Sequence, residues 1–163
     1  MAISAVVAHG GAGAGPERLA NVERAVAIAA GILDSGGSAI EAAVEACVVL
    51  EDDPVFNAGT GSVFRTDGSV HLDASIQTSE GKMGFVIAMQ DTPNPIRVAA
   101  DLLDEEINGL TGDGARLWAD SRGFEKSIVQ GRPPFEGATD TVGVVARDNS
   151  GLIVCATSTG GTS

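Results

Sequence analysis

Asp140-Thr141-Val142-Gly143-Val144-Val145-Ala146 is the stretch on which the reading of this chain turns. Thr141 opens an apolar, β-branched run with the composition of a buried strand. A second run, 152–157, leads into Thr157-Ser158-Thr159-Gly160-Gly161, where Thr159 stands eighteen positions after Thr141. Between the runs lies Asp148-Asn149-Ser150-Gly151, the composition of a hairpin turn. Taken alone, Thr141 reads as an ordinary strand residue. A hydroxyl that opens one strand, followed by a hydroxyl cluster and flexible backbone at the end of the next, asks for a chemical explanation.

Upstream, residues 122–140 contain Gly131-Arg132-Pro133-Pro134 and little periodicity, so they read as a mobile surface linker ending at the Asp140-Thr141 junction. Residues 3–8 read as a buried strand that ends in His9-Gly10-Gly11-Ala12-Gly13. A helix is expected over 16–34, with Leu19, Val22, Val26, Ala29 and Leu33 along one face and Gly36-Gly37 as its stop. Ser38-Ala39-Ile40-Glu41 is a capping box. It opens a second helix with Ile40, Val44, Cys47 and Val48 on one side, ending near Glu51-Asp52-Asp53-Pro54.

The glycine-punctuated loop Phe56-Asn57-Ala58-Gly59-Thr60-Gly61-Ser62 follows. Two short strands, 62–65 and 70–76, are expected around the turn Thr66-Asp67-Gly68. The run 84–89 is apolar without alternation and predicts a strand covered on both faces. Asn94-Pro95 starts a third helix through about residue 106, and a fourth covers 112–121.

A chain of 163 residues argues for one domain, and 44% hydrophobic residues supply its core. The net charge is −12, and past Thr141 only Arg147 and Asp148 are charged, so the acidic excess lies entirely before it. Such a surface repels phosphate backbones and argues against nucleic-acid binding. No stretch reaches the length of a membrane span, and no basic segment precedes the short apolar run 3–8, so neither membrane nor export is expected. Cys47 and Cys155 sit in apolar runs without metal-ligand spacing and read as buried free thiols of a cytoplasmic protein.

Familiar signatures fail. The third glycine of a dinucleotide fingerprint after Gly11-Ala12-Gly13 falls on Pro16, Gly81-Lys82 runs into Met83, and no Gly-x-Ser-x-Gly elbow exists. His9 and His71 lack a clustered partner set for zinc. What remains is chemistry without histidine. A threonine hydroxyl is a weak nucleophile until a base takes its proton. A freed α-amine, with a pKa of roughly 7.7–8.0, is such a base. An internal threonine can expose that amine itself: its hydroxyl attacks the preceding carbonyl, here that of Asp140, the peptide shifts to an ester, and water cleaves it.

Six ordered blocks resemble the threonine-dependent asparaginase and isoaspartyl-peptidase family of N-terminal nucleophile hydrolases. They are His9-Gly10-Gly11-Ala12-Gly13, the segment from Leu50-Glu51-Asp52-Asp53 through Gly61-Ser62-Val63, Leu72-Asp73-Ala74-Ser75-Ile76, Asn94-Pro95-Ile96, Asp140-Thr141-Val142-Gly143 and Thr157-Ser158-Thr159-Gly160-Gly161. The resemblance implies an α/β fold, a four-layer αββα sandwich. It implies scission between Asp140 and Thr141 into portions 1–140 and 141–163, and attack by Thr141 Oγ on the side-chain amide of asparagine or of an isoaspartyl dipeptide. Thr159 matches the family's supporting threonine and Asn57 the loop asparagine that helps position the reacting groups. Leu50, Glu51, Asp53, Phe56, Ala58 and Thr60 match a loop whose backbone carbonyls hold sodium, as suits a hard cation. No organic cofactor is implied, and processed units are expected to form homo-oligomers.

Family members continue past the Thr-Gly-Gly stretch, where an Arg and an Asp clamp the substrate and a Thr-Gly pair stabilises the oxyanion. Those positions fall beyond Ser163, so the fold reads as incomplete at its C-terminus and substrate-binding residues are not assigned. The alternative reading is a catalytically silent or truncated relative that keeps the fold and acts only as an oligomeric protein.

Overall fold

Ser38 starts the helix on which the sheet is built. Its backbone is extended (φ −79°, ψ 157°) and its Oγ accepts a hydrogen bond from Glu41 N at 3.1 Å, satisfying one of the orphan donors of a helix start. In the computed structural model, which describes residues 2–13, 15–134 and 141–161, this capping turn opens a helix of fourteen residues. Helices α1 (Leu19–Asp34), α2 (Ala39–Asp52), α3 (Pro95–Asp101) and α4 (Gly112–Ser121) alternate with strands β1 (Ala5–His9), β2 (Leu72–Thr78), β3 (Met83–Met89), β4 (Gly109–Thr111), β5 (Val142–Arg147) and β6 (Ile153–Thr159).

The strands form one sheet in the order β1-β5-β6-β2-β3-β4, antiparallel throughout except for β3 with β4. Helix α2 packs on β5 and β6, α3 on β2 and β3, and α1 lies against α2 and β1. The inner face of α2 is built from Ala39, Ala42, Ala43, Ala46 and Leu50, all buried. Small side chains let the helix approach the sheet closely. Across from them Val142, Val144, Ala146, Val154, Ala156, Ala74, Ile76 and Val86 alternate into the same core.

The other sheet face is open among the described residues. Val7 is 63% exposed, Ile87 47% and Ile153 42%. Three expectations are corrected here. The first strand is an edge strand with alternating half-burial rather than a buried one. β3 buries one face only, since Met83 and Ile87 point to the open side. Of the two free thiols, Cys47 is buried but Cys155 lies on the open face.

The turn at 66–68 forms, with Gly68 N donating to Arg65 O, but no hairpin of strands 62–65 and 70–76 surrounds it. Val63 instead bridges Arg132, because Phe64 N donates to Arg132 O and Arg132 N to Ser62 O, and the Arg132 side chain adds a bond to Gly61 O at 2.6 Å. The segment 122–134 is therefore held to the body rather than being a loose linker. Buried Arg116 donates to Phe124 O and Glu125 O, and Phe124 packs on the core. Residues 135–140, which include Asp140, lie outside the described residues. Helix α3 ends at Asp101 and continues only as a 3-10 turn, Leu102–Asp104, and the three-residue β4 was not anticipated from sequence.

Asp148 ties the β5–β6 turn to the start of α2. Its Oδ2 accepts from Ala39 N at 3.0 Å, while Oδ1 accepts from Ser150 N, Ser150 Oγ and Leu152 N. The Ser150 hydroxyl above all, then the Ala39 N–H, hold this carboxyl below its ordinary pKa. A depressed folded-state pKa stabilises the fold above the unfolded value, and that contribution is lost as pH falls through the folded one. Asp148→Ala is expected to cost about 1–3 kcal/mol in denaturant unfolding at neutral pH. The difference between wild type and Asp148→Asn should shrink as the pH is lowered through the carboxylate range.

Candidate active site

Cross-strand register decides which side chains meet. Val142 pairs with Ser158, and Asp73 pairs with Thr159 on the other side of β6. Thr141, one residue before β5, thus stands at the head of a row that runs Thr141, Thr159, Asp73 across three strands. The next row on the same face runs Gly143, Thr157, Ser75. Because side chains alternate along a strand, both rows project from the open face, away from the helices. Their side chains, from Thr141, Thr159, Asp73, Thr157 and Ser75, line a concavity of about 300 Å³, walled on the β3 side by Phe85 and Ile87.

Ser75 Oγ and Thr157 Oγ1 share a hydrogen bond of 2.7 Å. Asp73 is the one ionisable side chain among the lining residues. Its Oδ1 accepts from Ala88 N at 2.7 Å, at the point where the β2–β3 register slips. Ala88 has φ 53°, a left-handed conformation costly for alanine, and the carboxylate supplies the partner that the broken ladder does not. None of Asp73, Ser75 and Thr157 had a role assigned from sequence. The period-two spacing of Asp73 with Ser75 and of Thr157 with Thr159 was the signal available for them.

Asn57 sits elsewhere. It is buried, 1% exposed, and does not line the concavity. Its Nδ2 donates to Gly161 O at 2.8 Å, its Oδ1 accepts from Val63 N at 3.0 Å, and its carbonyl accepts from Gly160 N at 2.8 Å. A Cβ on Gly160 would lie 2.5 Å from Asn57 Oδ1, so only glycine fits this approach. Gly161 N in turn donates to Thr159 Oγ1 at 3.0 Å. The structure thus brings Thr141 and Thr159 together, and places Asn57 as a clamp on the two residues that follow Thr159.

The loop after α2 is rich in backbone oxygens. The helical partners of the Leu50 and Glu51 carbonyls are Pro54, which has no N–H, and Val55, whose N–H goes to Asp53 Oδ1 at 3.1 Å. Asp53 O accepts from Phe56 N and Ala58 O from Gly61 N, each keeping a second lone pair. A Cβ at Gly59 would meet Glu51 O at 2.5 Å and Pro93 O at 2.6 Å, so glycine with φ 49° is required where these carbonyls crowd. The donor set is all neutral oxygen. Among the described residues no cluster of His, Cys, Asp and Glu could hold a metal ion through side chains.

Glu51 itself is fully buried between α2, α3 and β6. Burial pushes its carboxyl up to about 8, against the opposing pull of the Ser158 hydroxyl, Ile96 N–H and Asn94. Ile96 N donates to Oε1 at 3.2 Å. Glu51 Oε2 and Ser158 Oγ, both buried, have no hydrogen-bond partner among the described residues. A carboxyl that keeps its proton leaves no unpaired charge there.

The chain's sequence matches a protein-family model described as "Asparaginase" over residues 2–131, a span that ends before Thr141. It is 40% identical to the isoaspartyl peptidase/L-asparaginase of Macaca fascicularis and equally to that of Homo sapiens, each alignment covering 96% of this chain and 60% of the relative. A protein of the same name from Synechocystis is 32% identical, with 96% and 57% covered. The chain spans about 60% of the length of these curated relatives. No helix among the described residues is long and apolar enough to cross a membrane.

A buried acid with a raised pKa imposes a pH slope opposite in sign to that of Asp148. Its unfolded form ionises near 4.5 while the folded form keeps its proton up to about 8, so stability falls as pH rises between those values. In sodium-free buffer the denaturant midpoint of the wild type is expected to drop from pH 5 to pH 8. Glu51→Gln should flatten that slope, and a Gln variant as pH-sensitive as wild type would show that Glu51 is already ionised.

Proposed function

The chain belongs to the asparaginase family, and on that premise we propose that it carries the nucleophile of an amidohydrolase acting on L-asparagine and β-aspartyl dipeptides. The observation that supports this reading is the juxtaposition of Thr141 and Thr159 at the adjacent ends of β5 and β6, on one wall of an open concavity. The register that pairs Val142 with Ser158 sets Thr141 opposite Thr159, which supports reading them as a nucleophile and its supporting threonine.

The reaction begins with self-scission. Thr141 Oγ attacks the Asp140 carbonyl, the acyl group moves from nitrogen to oxygen, and water hydrolyses the ester to leave a free α-amine on Thr141. That amine then takes the Thr141 hydroxyl proton as Oγ attacks the β-carbonyl carbon of the substrate. Collapse of the tetrahedral adduct expels ammonia, or the amino group of the second residue, which leaves with the transferred proton. Water, deprotonated by the same amine, attacks the Thr141 ester and releases aspartate. Thr159, held by the Gly161 N–H, hydrogen-bonds the nucleophile, and Asn57 acts through Gly160 and Gly161 to keep Thr159 in place.

The carbonyls of Leu50, Glu51, Asp53, Phe56, Ala58 and Thr60 are assigned to a sodium ion. Two carbonyls without helical partners and two with a spare lone pair suit a hard monovalent cation. Such an ion would stiffen the loop that bears Asn57. The finer architecture we assign is a four-layer αββα sandwich, in which a second sheet covers the open face that carries Val7, Val145, Ile153 and Ile87. Processed units form homo-oligomers in the cytoplasm, where two free thiols stay reduced.

Intact mass spectrometry of the complete protein, together with ammonia and aspartate release from L-asparagine and β-aspartyl-leucine, tests the reading. The wild type is expected to split before Thr141 and to hydrolyse at least one of the two substrates. Thr141→Ala should stay whole and lose more than about 10³-fold in kcat. An unsplit, inactive wild type would favour the silent oligomeric relative, and splitting of Thr141→Ala would remove Thr141 as nucleophile.

A further inference from the structure

Gly143 is the last residue of β5 paired with β1, and its partner is His9. A Cβ at position 143 would overlap His9 Nε2 and lie 3.0 Å from its Cδ2. The imidazole therefore occupies the space a side chain would fill. Gly11 N donates to His9 Nδ1 at 3.2 Å, which orients the exposed ring over the strand. Along the same row lie Thr157 and Ser75, joined at 2.7 Å, and His9 shares with Thr157 the wall of a small cleft of about 90 Å³.

Thr141 lies two residues beyond this lock. On its other flank the last paired residues are Val142 and Ser158. Scission before Thr141 would turn the head of β5 into a chain end, and chain ends fray unless something ties them down. On the β1 side the tie nearest to Thr141 is the imidazole seated in the Gly143 gap. We propose that His9 is a positioning residue for the Thr141 nucleophile, acting through its seat on Gly143 rather than by touching substrate. The proposal rests on the reading of Thr141 as nucleophile given above.

A double-mutant cycle in the complete protein, assayed on the better of its two substrates, decides it. His9→Ala is expected to lower kcat about 10²-fold with KM within about twofold, the signature of a displaced nucleophile rather than lost binding. Gly143→Ala should reproduce that loss in the wild-type background. It should add less than about twofold in the His9→Ala background, where the space it fills is already empty. His9→Gln, which keeps a donor and an acceptor, should recover most of the rate.

Losses that multiply in the double variant, or a His9→Ala enzyme within about twofold of wild type in kcat, overturn the proposal. Should His9→Ala fail to fold by circular dichroism, His9→Gln and His9→Phe replace it. Phe fills the gap without bonding Gly11, and equal rates for these two overturn the proposal. Intact mass separates the two levels of failure. A wild type that neither splits nor hydrolyses sinks the nucleophile reading itself, whereas with a split and active wild type the cycle alone decides the role of His9.

Discussion

The register between β5 and β6 is the constraint from which the candidate site follows. With Val142 opposite Ser158, Thr141 and Thr159 become neighbours on the open face. A slip of one residue would turn one strand over relative to the other, parting Thr141 from Thr159 and exposing that strand's apolar face. Burial of Val142 and Val144, with Val154 and Ala156 beside them, is therefore what aims the threonines outward. The core directs the threonines outward through the alternation of side chains along each strand.

Register needs fixing at both ends of the hairpin, and the two ends use different devices. At the turn, the Asp148 carboxylate accepts from its own loop and from the amino end of α2, where a negative charge is favoured. At the far end, Asn57 holds Gly160 and Gly161 through its side chain and its carbonyl. Each hydrogen bond contributes about 1 kcal/mol, and more where losing it would strand a buried group. Together they leave β6 little freedom to slide. Glu51 lies beneath the same end, its raised pKa keeping the buried carboxyl neutral beside Ser158.

Much of this was readable from the chain. The Ser38 cap and the Asp148–Gly151 turn are local features with local signatures and form as expected, whereas Thr141 falls just before β5 and β6 runs on through Thr159, two residues past the expected end. What escaped was non-local. The apolar run 84–89 looks the same whether one face is covered or two, so Met83 and Ile87 could not be told from core residues. Residues 122–134 carry no periodicity because the Arg116 guanidinium and the Val63 bridge hold them, and neither device leaves a repeat in the sequence. Asn57 carried a positioning role by resemblance; in the fold its partners are the two glycines that follow Thr159.

Those glycines illustrate a wider limit of reading by residue type. Gly143 and Gly160 flank the two threonines, and each is required by what fills the missing side chain's space, an imidazole in one case and a carboxamide oxygen in the other. Neither has the positive φ that marks a glycine needed for a turn. In sequence they pass for flexible spacers; in the structure neighbouring side chains take the room a Cβ would need. The open face sorts itself the same way. Hydroxyls and Asp73 gather at the Thr141 end, while Val7, Val145 and Ile153 occupy the remainder. One surface thus serves two purposes, a polar end suited to reaction and an apolar expanse suited to burial, and the boundary between them runs along the row that begins at His9.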